Sequence, residues 1–174
     1  MEDGDGFQEF ARARLTTLSR IAYLLAGDHH GAEDLVQSTL MKVALRWRQV
    51  REAADPDAYV RRILYNERIS TWRRRGRASE VVTDAPPERA STVDESESVL
   101  RQMMLRRALA RLTPRQRATI VLRFFEDRSA AEAAEVLGCS VGAVKSQTHH
   151  ALGRLRAVAP ELADLLDQPT EVRG

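Results

Sequence analysis

Apolar residues recur at helical spacing along most of the chain, in runs broken by short polar turns, and no stretch alternates convincingly as a half-buried strand would. Phe7, Phe10, Ala11, Leu18, Ile21, Ala22 and Leu25 mark a first core helix that Gly27 and Asp28 end. A second helix turns Ala32, Leu35, Val36, Thr39, Val43 and Trp47 inward, leaving Asp34, Gln37, Ser38, Met41 and Lys42 on its other faces. Asp55 before Pro56 starts a third: a capping side chain, then a residue whose missing N–H costs nothing at the first helical position. Here Tyr59, Val60, Ile63, Ile69 and Trp72 suit a core. Val99, Met103, Leu105, Leu109 and Leu112 outline a fourth helix. Thr113, Pro114 and Gln116 restart the chain as a capped fifth, burying Ile120, Val121 and Phe124. The expected fold is all-α.

The last two helices carry the clearest local grammar. Ser129 with Glu132 forms a capping box, Gly138 sits where a helix must end in a left-handed residue, and Ser140 caps the next helix. Val144, Thr148, Ala151 and Leu155 fall on one stripe, and Ala134 is small enough for a close crossing. This is a helix-turn-helix pattern. Gly142, Lys145, Ser146, His149, His150 and Gly153 lie opposite the stripe, and no acidic residue occurs from Gly138 to Arg156. An idly solvated face usually mixes both signs, so this one suits a DNA groove.

Charge is segregated rather than abundant. The 174 residues hold 27 basic and 25 acidic side chains, a net +2, so affinity for nucleic acid must come from placement. Arg61, Arg62, Arg68, Arg73, Arg74, Arg75 and Arg77 give the third helix a basic flank interrupted by Glu67, with Tyr65, Asn66 and Trp72 interleaved. Aromatic faces stack on unpaired bases and Asn reads a base edge, which is chemistry for a single strand. From Ser79 to Ser98 the composition turns to Pro, Ser, Thr and acid, marking a flexible acidic linker between two small helical domains. The expected limits are 6–78, 79–98, 99–158 and a tail over 159–174. An acidic strand of this kind could also lie in a basic channel as a mimic of a nucleic-acid backbone.

Other chemistry is sparse. Cys139 is the single cysteine, which excludes an intrachain disulfide and a cysteine-based zinc cluster. The adjacent pairs His29–His30 and His149–His150 diverge by about 100° on a helix and make poor two-ligand sites. No cofactor, metal or catalytic site is expected. The opening segment is acidic, unlike a secretory leader, and no apolar run could cross a bilayer, so a cytoplasmic protein without membrane insertion is expected.

Taken together, the ordered motifs resemble an alternative sigma factor of bacterial RNA polymerase, in the compact extracytoplasmic-function group that keeps regions two and four. GDHHGAEDLVQSTLMKV resembles the segment that docks on the polymerase clamp helices, and DPDAYVRRILYNERISTWRRRGR the segment that melts the minus-10 element. LRRALARLTPRQRATIVLRFFEDRSAAEAAEVLGCSVGAVKSQTHHALGRLR resembles region four, which reads the minus-35 element. The resemblance spans nearly all of Phe7 to Arg156.

The resemblance implies roles. Asp34, Gln37 and Lys42 would contact core RNA polymerase. Arg62, Tyr65, Asn66, Trp72, Arg73 and Arg74 would hold the melted non-template strand, Asn66 at a flipped base and the arginines at phosphates. Lys145, Ser146, Gln147, His149 and His150 would read double-stranded promoter DNA, and an inhibitory anti-sigma factor is a further partner open to such a protein. Strand opening would be driven by capture of extruded bases, without ATP. The chain departs from the family pattern at Ser38 and Leu40, where an acid and an aromatic are common, and at Gln147, where Arg is common. His149 and His150 are unusual tips for base reading, and histidine at such positions makes phosphate attraction depend on pH. Two rivals differ in class. A conventional regulator would bind an operator tightly by itself as a dimer; an enzyme acting on nucleic acid would need clustered carboxylates or an activated nucleophile, and neither pattern is visible.

Overall fold

The computed structural model describes residues 2–76 and 96–160, with side chains described over 6–74 and 102–160. All regular structure in these residues is helical. The first module comprises α1 (Glu2–Ala26), α2 (His29–Leu45), α3 (Trp47–Arg51) and α4 (Pro56–Gly76). The second comprises α5 (Ser96–Ala110), α6 (Pro114–Ile120), a π-helical turn (Val121–Phe125), α7 (Ala130–Leu137) and α8 (Val141–Val158).

The helix signals read from sequence act locally. Gly27, at φ +91°, stops α1, and Asp28 caps α2 by accepting from the Gly31 N–H at 2.7 Å. Asp55 accepts from the Ala58 N–H at 2.9 Å to start α4. Thr113 and Gln116 form a capping box at α6.

Three expectations are corrected. Trp47 does not extend α2: that helix ends at Leu45, the Arg46 N–H turns back to the Val43 carbonyl at 3.0 Å, and Trp47 opens α3 against Phe7 and Phe10. Trp72 does not serve the core; it is 46% exposed, and Ile69, one turn earlier, is the last described residue of α4 in the buried cluster. The fifth helix does not continue through Phe124 as an α-helix. It widens into the π turn, which leaves Phe124 only partly buried. The acidic linker falls mostly outside the described residues, as does the tail beyond residue 160, while Ser96 to Ser98 already belong to α5.

The two modules are not held apart in this structure. Val60, Leu64 and Tyr65 of α4 share one buried cluster with Val121, Leu122, Ala133, Ala134 and Val136 of the second module. A smaller cluster, including Leu109, Ile120, Ala151 and Leu155, fills the second module itself. The sequence pattern assigned α4 an apolar face but did not reveal that part of it is completed by α6 and α7. The junction is also polar: Arg117 Nη1 donates to the Leu25 carbonyl at 2.9 Å, and Arg106 Nη1 to the Tyr23 hydroxyl at 2.8 Å.

Candidate nucleic-acid interface

Burial of Val60, Leu64 and Ile69 decides which face of α4 remains outside. Arg62, Asn66, Trp72, Arg73 and Arg74 are all exposed. Arg62, Asn66 and Arg73 line an open groove of about 880 Å³ between α4 and α7, to which Lys42, Arg46 and Arg115 add positive charge. Asp55, Glu67 and Glu135 are its acids, so cations outnumber them. Tyr65 stands apart from the other residues expected to hold an unpaired strand. It is fully buried, and its hydroxyl donates to Glu126 Oε1 at 2.5 Å, so in this arrangement its ring is not offered to a base. Burial, then the adjacent carboxylate, push its phenol well above the usual tyrosine range.

Glu67 is the interruption in the basic flank, and the structure gives it a task. Although buried, it accepts from Ser38 Oγ at 3.1 Å, from Lys42 Nζ, and from Arg74 Nη2 at 3.4 Å. Burial raises its carboxyl, but the hydrogen bonds from Lys42 and Ser38 and the nearby charges outweigh that, and the net shift is downward. Ser38, a departure from the resembled pattern, is thus committed to an internal bond. Lys42 is tied to α4 rather than projecting freely with Asp34 and Gln37, which are exposed. Met41 and Leu45 join Gln37 on one stripe at intervals of four, and they are 64% and 85% exposed. Of the two, Met41 is legible in the sequence as lying off the core face, and Leu45 is not.

In the second module the capping box is present: the Glu132 N–H reaches Ser129 Oγ at 3.2 Å, and the Ser129 N–H reaches Glu132 Oε2 at 2.8 Å. Gly138 takes φ +62°, and the Cys139 N–H closes on the Ala134 carbonyl at 3.0 Å. Ser140 Oγ then accepts from the Ala143 N–H at 3.1 Å and starts α8. Val144, Ala151 and Leu155 are fully buried, and Thr148 Oγ1 donates to the Val144 carbonyl. Lys145, Ser146, His149 and His150 are exposed, with Gln147 half-buried at their edge. The helix-turn-helix turn lies close to the exposed arginine-bearing face of α4: Arg62 Nη2 is 4.0 Å from the position a Cβ on Gly138 would occupy.

Among the described residues, no group of three His, Cys, Asp or Glu side chains converges as a metal site. Nor is any helix there long and apolar enough to cross a membrane. Glu126 and Arg117, which join the modules, were missed from the sequence. Their only signal is position: each sits at the edge of the apolar run between them.

Comparison with known proteins matches residues 10–78 to the family model Sigma-70 region 2 and residues 102–155 to Sigma-70, region 4. The chain is similar to the RNA polymerase sigma-E factor of Streptomyces avermitilis, 40% identical over 150 residues that cover 86% of this chain and 83% of the relative. It is similar to the ECF RNA polymerase sigma factor SigL of Mycobacterium tuberculosis, 33% identical over 83% of this chain and 84% of the relative. Among solved structures it resembles the sigma factor RpoE of Bartonella quintana in complex with the anti-sigma factor NepR. That match has a TM-score of 0.65 and 30% identity, covering 89% of this chain and 97% of the other.

Proposed function

The chain belongs to the sigma-70 family of RNA polymerase sigma factors, in the extracytoplasmic-function group, and from that premise we propose how its residues divide the work of starting transcription. It is an alternative sigma factor, a non-catalytic initiation factor that binds core RNA polymerase and directs it to promoters, not a dimeric operator-binding regulator. The domains run over 6–78 and 96–158, the second taking in the whole of α5. Asp34 and Gln37, with the neighbouring apolar stripe and Lys42, form the polymerase face.

Asn66 takes an extruded base, Arg62, Arg73 and Arg74 hold phosphates, and Trp72 offers its exposed ring for stacking. Tyr65 joins them once the second module has moved. Lys145, Ser146, Gln147, His149 and His150 form the face that meets the upstream element at the major groove, with Lys145 on a phosphate and its neighbours toward the bases. The observation that carries this division is the occurrence, in one chain, of an exposed arginine- and Asn-bearing helix and a recognition helix without acids. Unstacking costs a few kcal/mol per step, and contacts to the open strand offset it without ATP. The protein acts in the cytoplasm. Its inhibitory partner is an anti-sigma factor, a reading supported by the Bartonella sigma factor, which is held by one and matches this chain across both modules.

The test is reconstituted transcription with core polymerase and genomic DNA, mapping starts with and without the protein. Asn66→Ala is expected to impair opening more than closed-complex binding, and Lys145→Ala with His149→Ala to weaken upstream binding. Start sites that do not depend on the protein would refute the reading, and equal effects of both variants on both steps would refute the division of labour.

A further inference from the structure

The first turns of α4 divide their residues between two faces. Asp55, Ala58, Tyr59, Arg62 and Asn66 line the groove, whereas Asp57, Val60 and Arg61 line a separate cavity of about 330 Å³ against Arg14, Thr17 and Ile21 of α1. On that second face Arg14 grips Asp57 with two bonds: Nε donates to Oδ1, and Nη2 donates to Oδ2 at 3.1 Å. Hydrogen bonding to Arg14 pulls the Asp57 carboxyl below the usual aspartate range, against the raising effect of burial.

Aromatic packing aims the guanidinium. Its Cζ lies 3.7 Å from the centroid of the Phe10 ring, and Phe10 packs in turn on Trp47 with ring centroids 5.1 Å apart. Trp47 opens α3, and Asp57 stands in the first turn of α4. One continuous stack, from Trp47 through Phe10 and Arg14 to Asp57, therefore ties both ends of residues 47–57 to α1, while fully buried Val50 anchors the segment between them. The turn that precedes α4 ends at Asp55, which caps the helix through the Ala58 N–H and borders the groove. The Arg14 and Asp57 side chains are 31% and 46% exposed, so solvent screens their attraction and the pair adds little to overall stability. What a planar two-bond fork supplies is direction.

We propose that Arg14 is a positioning residue for strand capture: braced on Phe10, it sets the turn before α4 and with it the placement of Tyr59, Arg62 and Asn66 along the groove. Among the described residues no side chain of α1 lines that groove, so Arg14 acts through Asp57 and not by touching DNA. The proposal deepens the sigma-factor reading and rests on it for the strand, but not for the turn.

The experiment uses the full chain assembled with core polymerase. Affinity for a single-stranded non-template oligonucleotide spanning the minus-10 element should fall about tenfold in Arg14→Gln and equally in Asp57→Asn. Binding to a duplex carrying only the upstream element should stay within about twofold of the parent. The double variant should lose no more than either single one, because both remove the same contact. Arg14→Lys should recover only part of the loss. Ala22→Gly weakens α1 at a buried position away from the pair; it should lower the urea midpoint more than Arg14→Gln does and leave single-strand affinity unchanged. Parental affinity in Arg14→Gln, losses that multiply in the double variant, or an equal loss in Ala22→Gly would each overturn the assignment. If the parent holoenzyme does not hold the strand, the sigma-factor reading fails instead, and amide exchange in the free chain decides the positioning. There the Ala58 N–H should exchange about tenfold faster in Arg14→Gln and no faster in Ala22→Gly, and equal exchange in parent and Arg14→Gln would overturn it.

Discussion

Arg117 Nη1 donates to the carbonyl of Leu25 over 2.9 Å while its Nε donates to the carbonyl of Leu109 over 2.7 Å, so one buried guanidinium joins the ends of α1 and α5. Both acceptors lie in final helical turns, where carbonyls lack intrahelical partners and the dipole favours a cation. Burial, with the charge of Arg68, brings Arg117 down to about 10, which leaves it protonated at neutral pH. Arg117→Met keeps much of the volume and loses both bonds, while no longer burying a charge. The net loss should be about 2 kcal/mol, read from urea unfolding. Arg117→Lys should recover less than half, since a single ammonium lacks the planar fork that reaches two carbonyls. An unchanged midpoint for the Met variant would contradict the assignment.

Glu67 holds Lys42 and Ser38 of α2 against α4, the helix proposed to open DNA. Glu67→Gln should lower stability by about 1 kcal/mol, a modest figure because Lys42 is nearly half exposed and its share of the bond is screened. The freed Lys42 changes the polymerase face as well. Titration of labelled protein with core polymerase should show a severalfold shift in affinity for Glu67→Gln, whereas Glu9→Gln, exposed on α1, should show none. Identical behaviour of the two variants would remove the link between the helices.

The legibility of this protein in its sequence followed the range of the interaction. Caps at Asp55, Thr113, Ser129 and Ser140 use partners within three residues, so composition at fixed spacing was enough to place them. The α8 stripe was legible for the same reason. Tyr65 was not: its place among arginines suggested a stacking surface, while the cluster that buries its ring includes Val121 and Leu122 and its hydroxyl partner, Glu126, lies 61 positions away. Glu67 likewise read as a break in a basic flank, because its partners Ser38 and Lys42 belong to another helix. The docking of the modules left no periodic signal, since α4 is wrapped by helices on more than one side and its apolar positions do not form a single stripe.

Acid should loosen the recognition unit at α7. Bonds from the Ser129 backbone and side chain and from Arg128 pull the Glu132 carboxyl down from 4.5 to about 2. A carboxylate depressed on folding contributes its full stabilisation above the unfolded value. That contribution is lost as pH falls from about 4.5 to about 2. The Ser129 amide resonance should therefore titrate with a midpoint near 2, and in Glu132→Gln, which can keep the capping box, it should not titrate in that window. A midpoint near the ordinary glutamate value would show that the box does not hold the carboxylate.

Lys145 is the one lysine on α8, exposed on a helix face that carries no acid. As a phosphate contact it releases about one counterion, so Lys145→Ala should weaken holoenzyme binding to the closed promoter and reduce the slope of log K against log salt by about 1. The loss should be similar across promoters, because a phosphate carries no sequence. Asn66→Ala should leave that slope unchanged and lower the rate of opening, measured by permanganate reactivity of exposed thymines. An altered slope from Asn66→Ala, with none from Lys145→Ala, would assign phosphate binding to the wrong module.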